Sequence, residues 1–347
     1  MKIERFPFGT FYNQSVRRIV LSNENGMSVS ILELGGIISN LLVPDKQGDL
    51  ADVVLGFDNI KDYVRHDTHY FGALIGRVAN RIEGAQFELD GEMVQVHGNA
   101  YGGRHCVHGG RFGYHRRVWQ QVKSEQTHDH VSVTLRLIDN DGEEGFKHTV
   151  LVHATYTLTR DNKLSLIFNA DADGPTPVNM TAHSYFNLFG HQHGSIKAHT
   201  LTLHAKQYLG QKADRIPDGS LVSVDDSMFD FSQTRVLAKG VAYGDEVNHS
   251  YVFDQTGASR DKLHKMAVLQ GGGRQLTIYS NERTLHLYNG HNLDGVSGKQ
   301  GSIYNRYAGL CLEPKGYVNG INEINFPYTI IDSSNSYEHR IIYDFSH

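Results

Sequence analysis

Hydrophobic and polar residues alternate along several segments of the chain. In VSVTLRLI (131–138) every second residue is aliphatic, and the residues between them are mostly polar. The same period continues in HTVLVHATYTL (148–158), KLSLIFNA (163–170), LTLHAKQYL (201–209), RQLTIYS (274–280) and RTLHLYN (283–289). A period of two is typical of β-strands that bury one face.

Short polar turns separate these segments. They contain Gly, Asn or Asp, as in DNDGEEG and TRDNK, and recur about every 8–12 residues. Short helical turns are expected only in NIKDYV (59–64) and QTRVLAKGVAYGDEV (233–247). No internal repeat and no Pro/Ser-rich linker interrupts the chain. The pattern therefore predicts an all-β fold, a large antiparallel β-sandwich, with residues 1–347 forming a single domain.

Composition supports this fold and excludes several classes of function. The 36 Gly, 18 Tyr and 16 Phe favour turns and strands. The net charge is -5 and no Lys/Arg-rich run occurs, so we expect no nucleic-acid partner. No apolar run is long enough to span a membrane. The chain has two cysteines, no CxxC and no apolar signal segment near its start, so we expect a cytoplasmic protein with free thiols.

A histidine lies in the middle of VNMTAHSYFNL (178–188), a segment that resembles one continuous strand. One face would be apolar apart from Ser184, and the other would carry Asn179, Thr181, His183, Tyr185 and Asn187. This second face is uncharged and rich in hydrogen-bonding groups, which suits a hydroxyl-rich ligand. By itself, His183 fits a hydrogen-bonded interior residue, a metal ligand or a proton donor, and the interior residue is the commonest of these.

Two further segments carry candidate chemistry. In GGRHCVHGGRFGYHRRVW (102–119), His108 precedes two glycines, which allow a sharp turn or a close approach to a ligand. We expect a flexible surface loop there, with His105 and His115 on the surface. Glu313 ends the hydrophobic strand of LCLEP just before Pro314 and shares a face with Cys311. A lone Glu is more often a surface acid.

Histidine is abundant, with 21 residues, so a metal site has to be considered. HQH (191–193) and HDH (128–130) lie in polar surroundings typical of exposed turns, and HExxH is absent. No phosphate-binding glycine loop occurs either. We therefore expect no cofactor and no functional metal.

These stretches together resemble the galactose mutarotase (aldose 1-epimerase) family. The similarity runs in order along nearly the whole chain, through LGFDNIKDY, GALIGRVANRIEGAQFELDG, VHGG, NDGEEGFKH, PVNMTAHSYFNLFG and LCLEPKGYVNGIN. GRVANRI, HGG and NMTxHxYFNL are specific to that family. The resemblance implies a large β-sandwich that isomerises a sugar without a cofactor.

The resemblance also implies roles for single residues. His183 corresponds to the proton-donating histidine and Glu313 to the general base. Arg81 of NRI, with Asn80 beside it, and His108 of HGG correspond to sugar-binding residues. The family has an acidic residue in a DH pair at the position where this chain has Asn248. We therefore expect Asn248 to tune which sugar is accepted, and Asn248→Asp to favour neutral hexoses.

The expected function is interconversion of the α and β anomers of a free hexose such as galactose or glucose. The alternatives are a mutarotase or epimerase for a uronic, deoxy or sulfonated sugar, and a non-catalytic sugar-binding homologue. The expected partner is a small-molecule sugar, with no nucleic acid and no membrane. The chain is expected to be a monomer or a weak homodimer.

Overall fold

The structure is a computed structural model that describes residues 1–240, 246–253 and 262–347. Its strands in chain order are β1 (Lys2–Phe11), β2 (Gln14–Ser22), β3 (Ser28–Leu32), β4 (Ile38–Pro44), β5 (Leu50–Asp52), β6 (Leu74–Ile75), β7 (Arg81–Ile82), β8 (Gln86–Leu89), β9 (Glu92–Gln95), β10 (Cys106–Val107), β11 (Gln120–Gln126), β12 (His130–Asp139), β13 (Val150–Thr159), β14 (Lys163–Ala172), β15 (Thr176–Pro177), β16 (Thr181–Ala182), β17 (Tyr185–Phe186), β18 (Thr200–Leu203), β19 (Gln207–Gln211), β20 (Pro217–Ser223), β21 (Arg235–Val236), β22 (Asn248–Val252), β23 (His264–Gly271), β24 (Arg274–Ser280), β25 (Thr284–Tyr288), β26 (Val296–Ser297), β27 (Ile303–Tyr304), β28 (Leu310–Lys315), β29 (Ile330–Ile331) and β30 (Tyr337–Ser346).

Helices are short. They are α1 (Ile60–Arg65), whose N-cap Asn59 accepts from the backbone N–H of Asp62, and α2 (Leu237–Gly240). Single 3₁₀ turns lie at Asp67–His69, Glu83–Ala85, Tyr114–Arg116, Glu143–Gly145, His191–His193, Lys299–Gly301 and Gly320–Asn322. Among the described residues, no helix is long and apolar enough to cross a membrane.

Three large antiparallel sheets form the architecture. The nine-stranded sheet has the order β11-β12-β13-β14-β30-β24-β23-β18-β21, the six-stranded sheet the order β17-β28-β25-β22-β19-β20, and the five-stranded sheet the order β1 to β5. Aliphatic side chains of all three sheets meet in one apolar cluster, which extends in sequence from Ile19 to Phe345. The predicted all-β sandwich is confirmed.

Most of the strands predicted from alternation are present. The segments 131–138, 163–170 and 274–280 lie within β12, β14 and β24. LTLHAKQYL is different, because it forms β18 and β19, which belong to two different sheets. Both predicted helical turns are found, as α1 and α2, although residues 241–245 of the second segment lie outside the described part of the chain.

The prediction of one continuous strand over 178–188 is wrong. The segment forms two short strands, β16 and β17, which pair with β6 and β28 in different sheets, and His183 and Ser184 lie between them. The alternation of faces is nevertheless real. Val178, Met180, Ala182, Phe186 and Leu188 enter the large apolar cluster. The break places His183 at the junction of two sheets.

Candidate active site

One face of the six-stranded sheet carries the site. Leu310 and Leu312 of β28 point into the apolar cluster, so Cys311 and Glu313 point to the opposite face. In the register of the sheet, His286 lies directly across from Glu313, and Ser250 directly across from His286. Side chains directly opposite one another on neighbouring strands share a face. The sheet therefore places a row of polar groups side by side.

His183 meets Glu313 at the edge of this face. Its Nε2 lies 3.6 Å from Oε1 of Glu313, and both residues are buried, at 6% and 1% exposure. The backbone holds His183 in place, since its N–H donates to the carbonyl of Ala73 (2.9 Å) and its carbonyl accepts from Gly72 (3.0 Å). Burial lowers the pKa of His183 below its ordinary 6.5, while the Glu313 carboxylate opposes this shift. An imidazole and a carboxylate at this separation can act as an acid–base pair.

Two more buried groups contact the pair from β28. Lys315 Nζ lies 3.3 Å from Oε2 of Glu313 and is fully buried. Burial lowers the pKa of this ammonium, and the Glu313 carboxylate acts in the opposite direction. On the other side, Cys311 Sγ lies 3.6 Å from Nδ1 of His183. Glu313 is thus held between His183 and Lys315, one at each carboxylate oxygen.

Arg81, Asn80 and His108 form a second part of the site. Arg81 Nη1 donates to Oδ1 of Asn80 (2.8 Å), and the Asn80 backbone N–H donates to Nδ1 of His108 (3.2 Å). Both Asn80 and His108 adopt positive φ, of 64° and 55°. A conformation that side-chain-bearing residues seldom adopt is often found at functional sites. The ring centroid of His108 is 5.3 Å from that of His183, which joins this group to the acid–base pair.

The loop that carries His108 is closely packed at this residue, which is buried rather than on the surface as expected from the sequence. Gly109 has φ of +80°, and a Cβ added there would lie 2.0 Å from the carbonyl oxygen of Gly76. The close approach that a glycine permits is therefore to the protein's own backbone. The ring of Tyr70 packs against this loop, with its centroid 4.6 Å from that of His108 and 5.6 Å from that of His183.

Asn248, the first residue of β22, is fixed at both ends of its amide. Its Oδ1 accepts from Nε2 of His286 (2.7 Å), and its Nδ2 donates to Oε1 of Glu246 (2.9 Å). Ser250 Oγ lies 2.8 Å from Nδ1 of His286, and Arg215 pairs with the Glu246 carboxylate. Burial places the pKa of His286 well below 6.5. A neutral His286 with its proton on Nε2 satisfies the whole network.

Three histidines were wrongly expected on the surface. His105 is fully buried and lies 3.2 Å from Asp214, and His115 is buried against the ring of Tyr70. Burial lowers the pKa of His115 to about 3. In the HQH turn, His191 is buried and contacts the hydroxyl of Tyr304 (3.0 Å), whereas His128 of HDH is exposed as expected. Local polarity misled these predictions, because the polar partners come from distant segments.

Potential ligand atoms of His183, Cys311 and Glu313 all lie within 4.8 Å of one another, so a metal ion has to be considered. The donor set fits one poorly. Oε2 of Glu313 already contacts the Lys315 ammonium, and a second cation beside this buried charge would be repelled. Burial also raises the pKa of the Cys311 thiol well above 9, which opposes the thiolate that a metal requires.

All six site residues predicted from the sequence therefore come together. His183 and Glu313 are adjacent, His108 and the Asn80–Arg81 pair adjoin them, and Asn248 joins through His286. Arg81 and His286 line one narrow cavity, together with Asn80, Gln211, Arg215 and Ser250. Sequence reasoning missed His286, Lys315 and Glu246. Lys315 had a usable signal, because it lies two residues after Glu313 in the same strand and so shares its face.

A family model and similar curated proteins point to the same family. The family model described as aldose 1-epimerase matches residues 17–344. The galactose mutarotase of Sus scrofa is 34% identical over 92% of this chain and 91% of its own. The aldose 1-epimerase of Haemophilus influenzae is 33% identical over 90% of this chain and 89% of its own.

Solved structures share the fold. The aldose epimerase homologue from C. elegans superimposes with a TM-score of 0.86 at 27% identity, covering 95% of this chain and 98% of its own. The galactose 1-epimerase from Lactobacillus acidophilus NCFM superimposes with a TM-score of 0.83 at 23% identity, covering 99% and 98%. With the family model spanning nearly the whole chain, this protein belongs to the aldose 1-epimerase family.

Proposed function

We propose that the protein is a mutarotase that interconverts the α and β anomers of a free hexose such as galactose or glucose. The observation that carries the proposal is the buried pair of His183 Nε2 and Glu313 Oε1, 3.6 Å apart beside hydrogen-bonding groups suited to sugar hydroxyls. The relatives named galactose mutarotase and aldose 1-epimerase support the same reaction.

The reaction needs two proton movements. To open the ring, the anomeric hydroxyl at C1 loses its proton to Glu313 while the ring oxygen gains one from His183, and the C1–O5 bond breaks to leave the aldehyde. Rotation about C1–C2 then presents the other carbonyl face. Closure reverses both transfers, so His183 and Glu313 return to their starting protonation states. Each positioned acid or base of this kind contributes roughly 10²–10⁴ in rate.

The remaining residues would orient the sugar. Nε of Arg81 is buried and has no hydrogen-bond partner among the described residues, so the guanidinium has donor capacity left for a hydroxyl. His108 accepts at Nδ1 from the backbone of Asn80, which leaves its Nε2–H as a donor. Fixing a pyranose with its C1 hydroxyl and ring oxygen next to the base and the acid lowers the entropic part of the barrier.

The electrostatics predict which protonation state reacts. The productive state has His183 protonated and Glu313 ionised. Because burial lowers the pKa of His183, most molecules at neutral pH carry a neutral imidazole. The productive fraction therefore grows as the pH falls from neutral toward the pKa of His183.

Anomer exchange measured on freshly dissolved α-D-galactose and α-D-glucose tests the proposal. We expect catalytic amounts of protein to speed the change of optical rotation, with the end point unchanged. Saturable sugar binding without any acceleration would instead show a non-catalytic sugar-binding protein. Neither binding nor acceleration with these hexoses, but acceleration with a uronic, deoxy or sulfonated sugar, would identify the modified-sugar alternative.

We also propose that residues 1–347 form one domain, because the large apolar cluster contains residues from Ile19 to Phe345. A single cooperative unfolding transition followed by two probes would support it, and two separate transitions would contradict it. A cytoplasmic location and a monomer or weak homodimer remain part of the proposal. Both cysteines are free, as a reducing compartment requires.

A further inference from the structure

Lys315 is a buried charge that the acid–base reaction described above does not use. It is the last residue of β28 and has no exposed surface. Its carbonyl accepts from Thr284 Oγ1 (2.8 Å), which fixes the backbone at the end of the strand. An isolated buried ammonium is costly, so its place beside Glu313 requires a reason.

We propose that Lys315 is a positioning residue of the mutarotase reaction, whose ammonium group anchors Oε2 of Glu313 so that Oε1 faces His183 and the sugar. The inference rests on the proposed function, because it assigns Lys315 a role through the base Glu313. Lys315 lies within LCLEPKGYVNGIN, and its place beside Glu313 gives it a role that the resemblance does not assign.

Geometry supports this role. The two carboxylate oxygens of Glu313 are divided, with Oε2 lying 3.3 Å from Lys315 Nζ and Oε1 lying 3.6 Å from His183 Nε2. A carboxylate held at one oxygen cannot rotate freely, and the oxygen left over is the one next to the proposed acid. The base is thereby aimed before the sugar arrives, which is the condition for efficient proton transfer.

Charge supports it as well. A cation in contact with the carboxylate favours its ionised form. Lys315 therefore places its positive charge beside Oε2 of Glu313, at the oxygen that does not face His183. Several effects act on the pKa of His183. Burial, the largest, lowers it; the Glu313 carboxylate raises it; and the charge of Lys315, whose effect is smaller than either, lowers it. Lys315 thus orients the base and contributes to the upper pH limit of the acid.

Other titratable groups face these residues, and their effects on the pH profile have to be distinguished from the effect of Lys315. Around His183 they are His69, Tyr70, His108 and His115. Around Glu313 and Lys315 they are Arg81, Cys311, Tyr185, His286 and Tyr343. Among the described residues, Lys315 is the cation that acts on the pKa of His183, whereas the charge of Arg81 acts on His108, His286 and Lys315.

The test compares Lys315→Gln, which keeps a donor without the charge, with Lys315→Arg, which keeps the charge. For Lys315→Gln we expect kcat to fall about 10–100-fold with KM changed little, because the base is misplaced. We also expect the alkaline limb of kcat/KM, which reports His183, to move to higher pH. Lys315→Arg should hold that limb near its wild-type position. Lys315→Met carries the same test if Lys315→Gln does not fold.

Lys299→Gln is the matched control. Lys299 is also buried and pairs with a carboxylate, Asp52, at 2.6 Å, but it is not among the groups that act on His183. Its variant should lose stability without moving the alkaline limb. Near-wild-type kcat and an unmoved limb in folded Lys315→Gln would overturn the inference. If Glu313→Gln also kept full turnover, the proposed function itself would fail, so the two failures are distinguishable.

Discussion

Asn248→Asp introduces the acidic residue that the resemblance to the family implies at this position, and the structure changes the expected outcome of this substitution. From the sequence alone, the change should favour neutral hexoses, because a carboxylate accepts hydroxyl hydrogen bonds more strongly than an amide does. In the structure, Asn248 Nδ2 donates to Oε1 of Glu246 at 2.9 Å. A carboxylate at position 248 would therefore face a second carboxylate.

The magnitude follows from two contributions. Losing a hydrogen bond to a charged group costs about 1.5–3 kcal/mol. Two like charges about 4 Å apart repel by ~4 kcal/mol at the effective dielectric constant near a protein surface. Glu246 is 19% exposed and pairs with Arg215, so it can turn toward water and the repulsion is partly screened. We therefore expect Asn248→Asp to lower the free energy of unfolding by about 2–5 kcal/mol at neutral pH.

A double-mutant cycle with Glu246→Gln isolates this effect. Urea unfolding of the wild type, both single variants and the double variant gives the coupling between positions 246 and 248. We expect the double variant to recover most of the loss, and the loss to shrink at acidic pH as a carboxylate is protonated. Only the double variant should show the gain in kcat/KM for galactose or glucose expected of an acid at 248. Full stability of Asn248→Asp with Glu246 present would refute the reasoning.

Three further outcomes follow from the site. Chelator treatment should leave turnover intact, and loss of activity that one metal restores would contradict the acid–base account. Cys311 and Cys106 should both label slowly, because both are buried and burial raises the pKa of Cys106 to about 12; saturating sugar should slow labelling of Cys311 further. Because the pKa of His183 is lowered, kcat/KM should fall as the pH rises, with the midpoint of this fall below 6.5. A midpoint more than about one pH unit above 6.5 would contradict this prediction.

Local patterns carried most of the fold prediction. Alternation located β12, β14 and β24 closely, because each buries one face against a single continuous core. It failed at 178–188, where the chain passes from pairing with β6 to pairing with β28. Side-chain alternation persists through such a break, so the sequence could reveal the two faces but not the change of partner strand.

For the candidate site, the sequence likewise indicated single residues but not the contacts between them. The resemblance to the family proposed His183, Glu313 and His108, while the contacts around them join residues far apart in sequence. His286 lies 38 residues from Asn248, and nothing in the local sequence indicates that the two side chains bond. His105 likewise contacts Asp214, which is 109 residues away in sequence. Tertiary packing decides such pairings, and a single sequence does not display it.

The central claim is that His183 and Glu313 transfer the two protons of ring opening. The most direct measurement is kcat for anomer exchange of galactose, by exchange NMR, in His183→Asn and Glu313→Gln. Buried residues outside the catalytic pair provide matched controls, His339→Asn and Glu33→Gln. The account predicts that each site variant loses at least ~10² in kcat with sugar affinity within a few fold, while the controls keep wild-type turnover. Near-wild-type kcat in either site variant would contradict it.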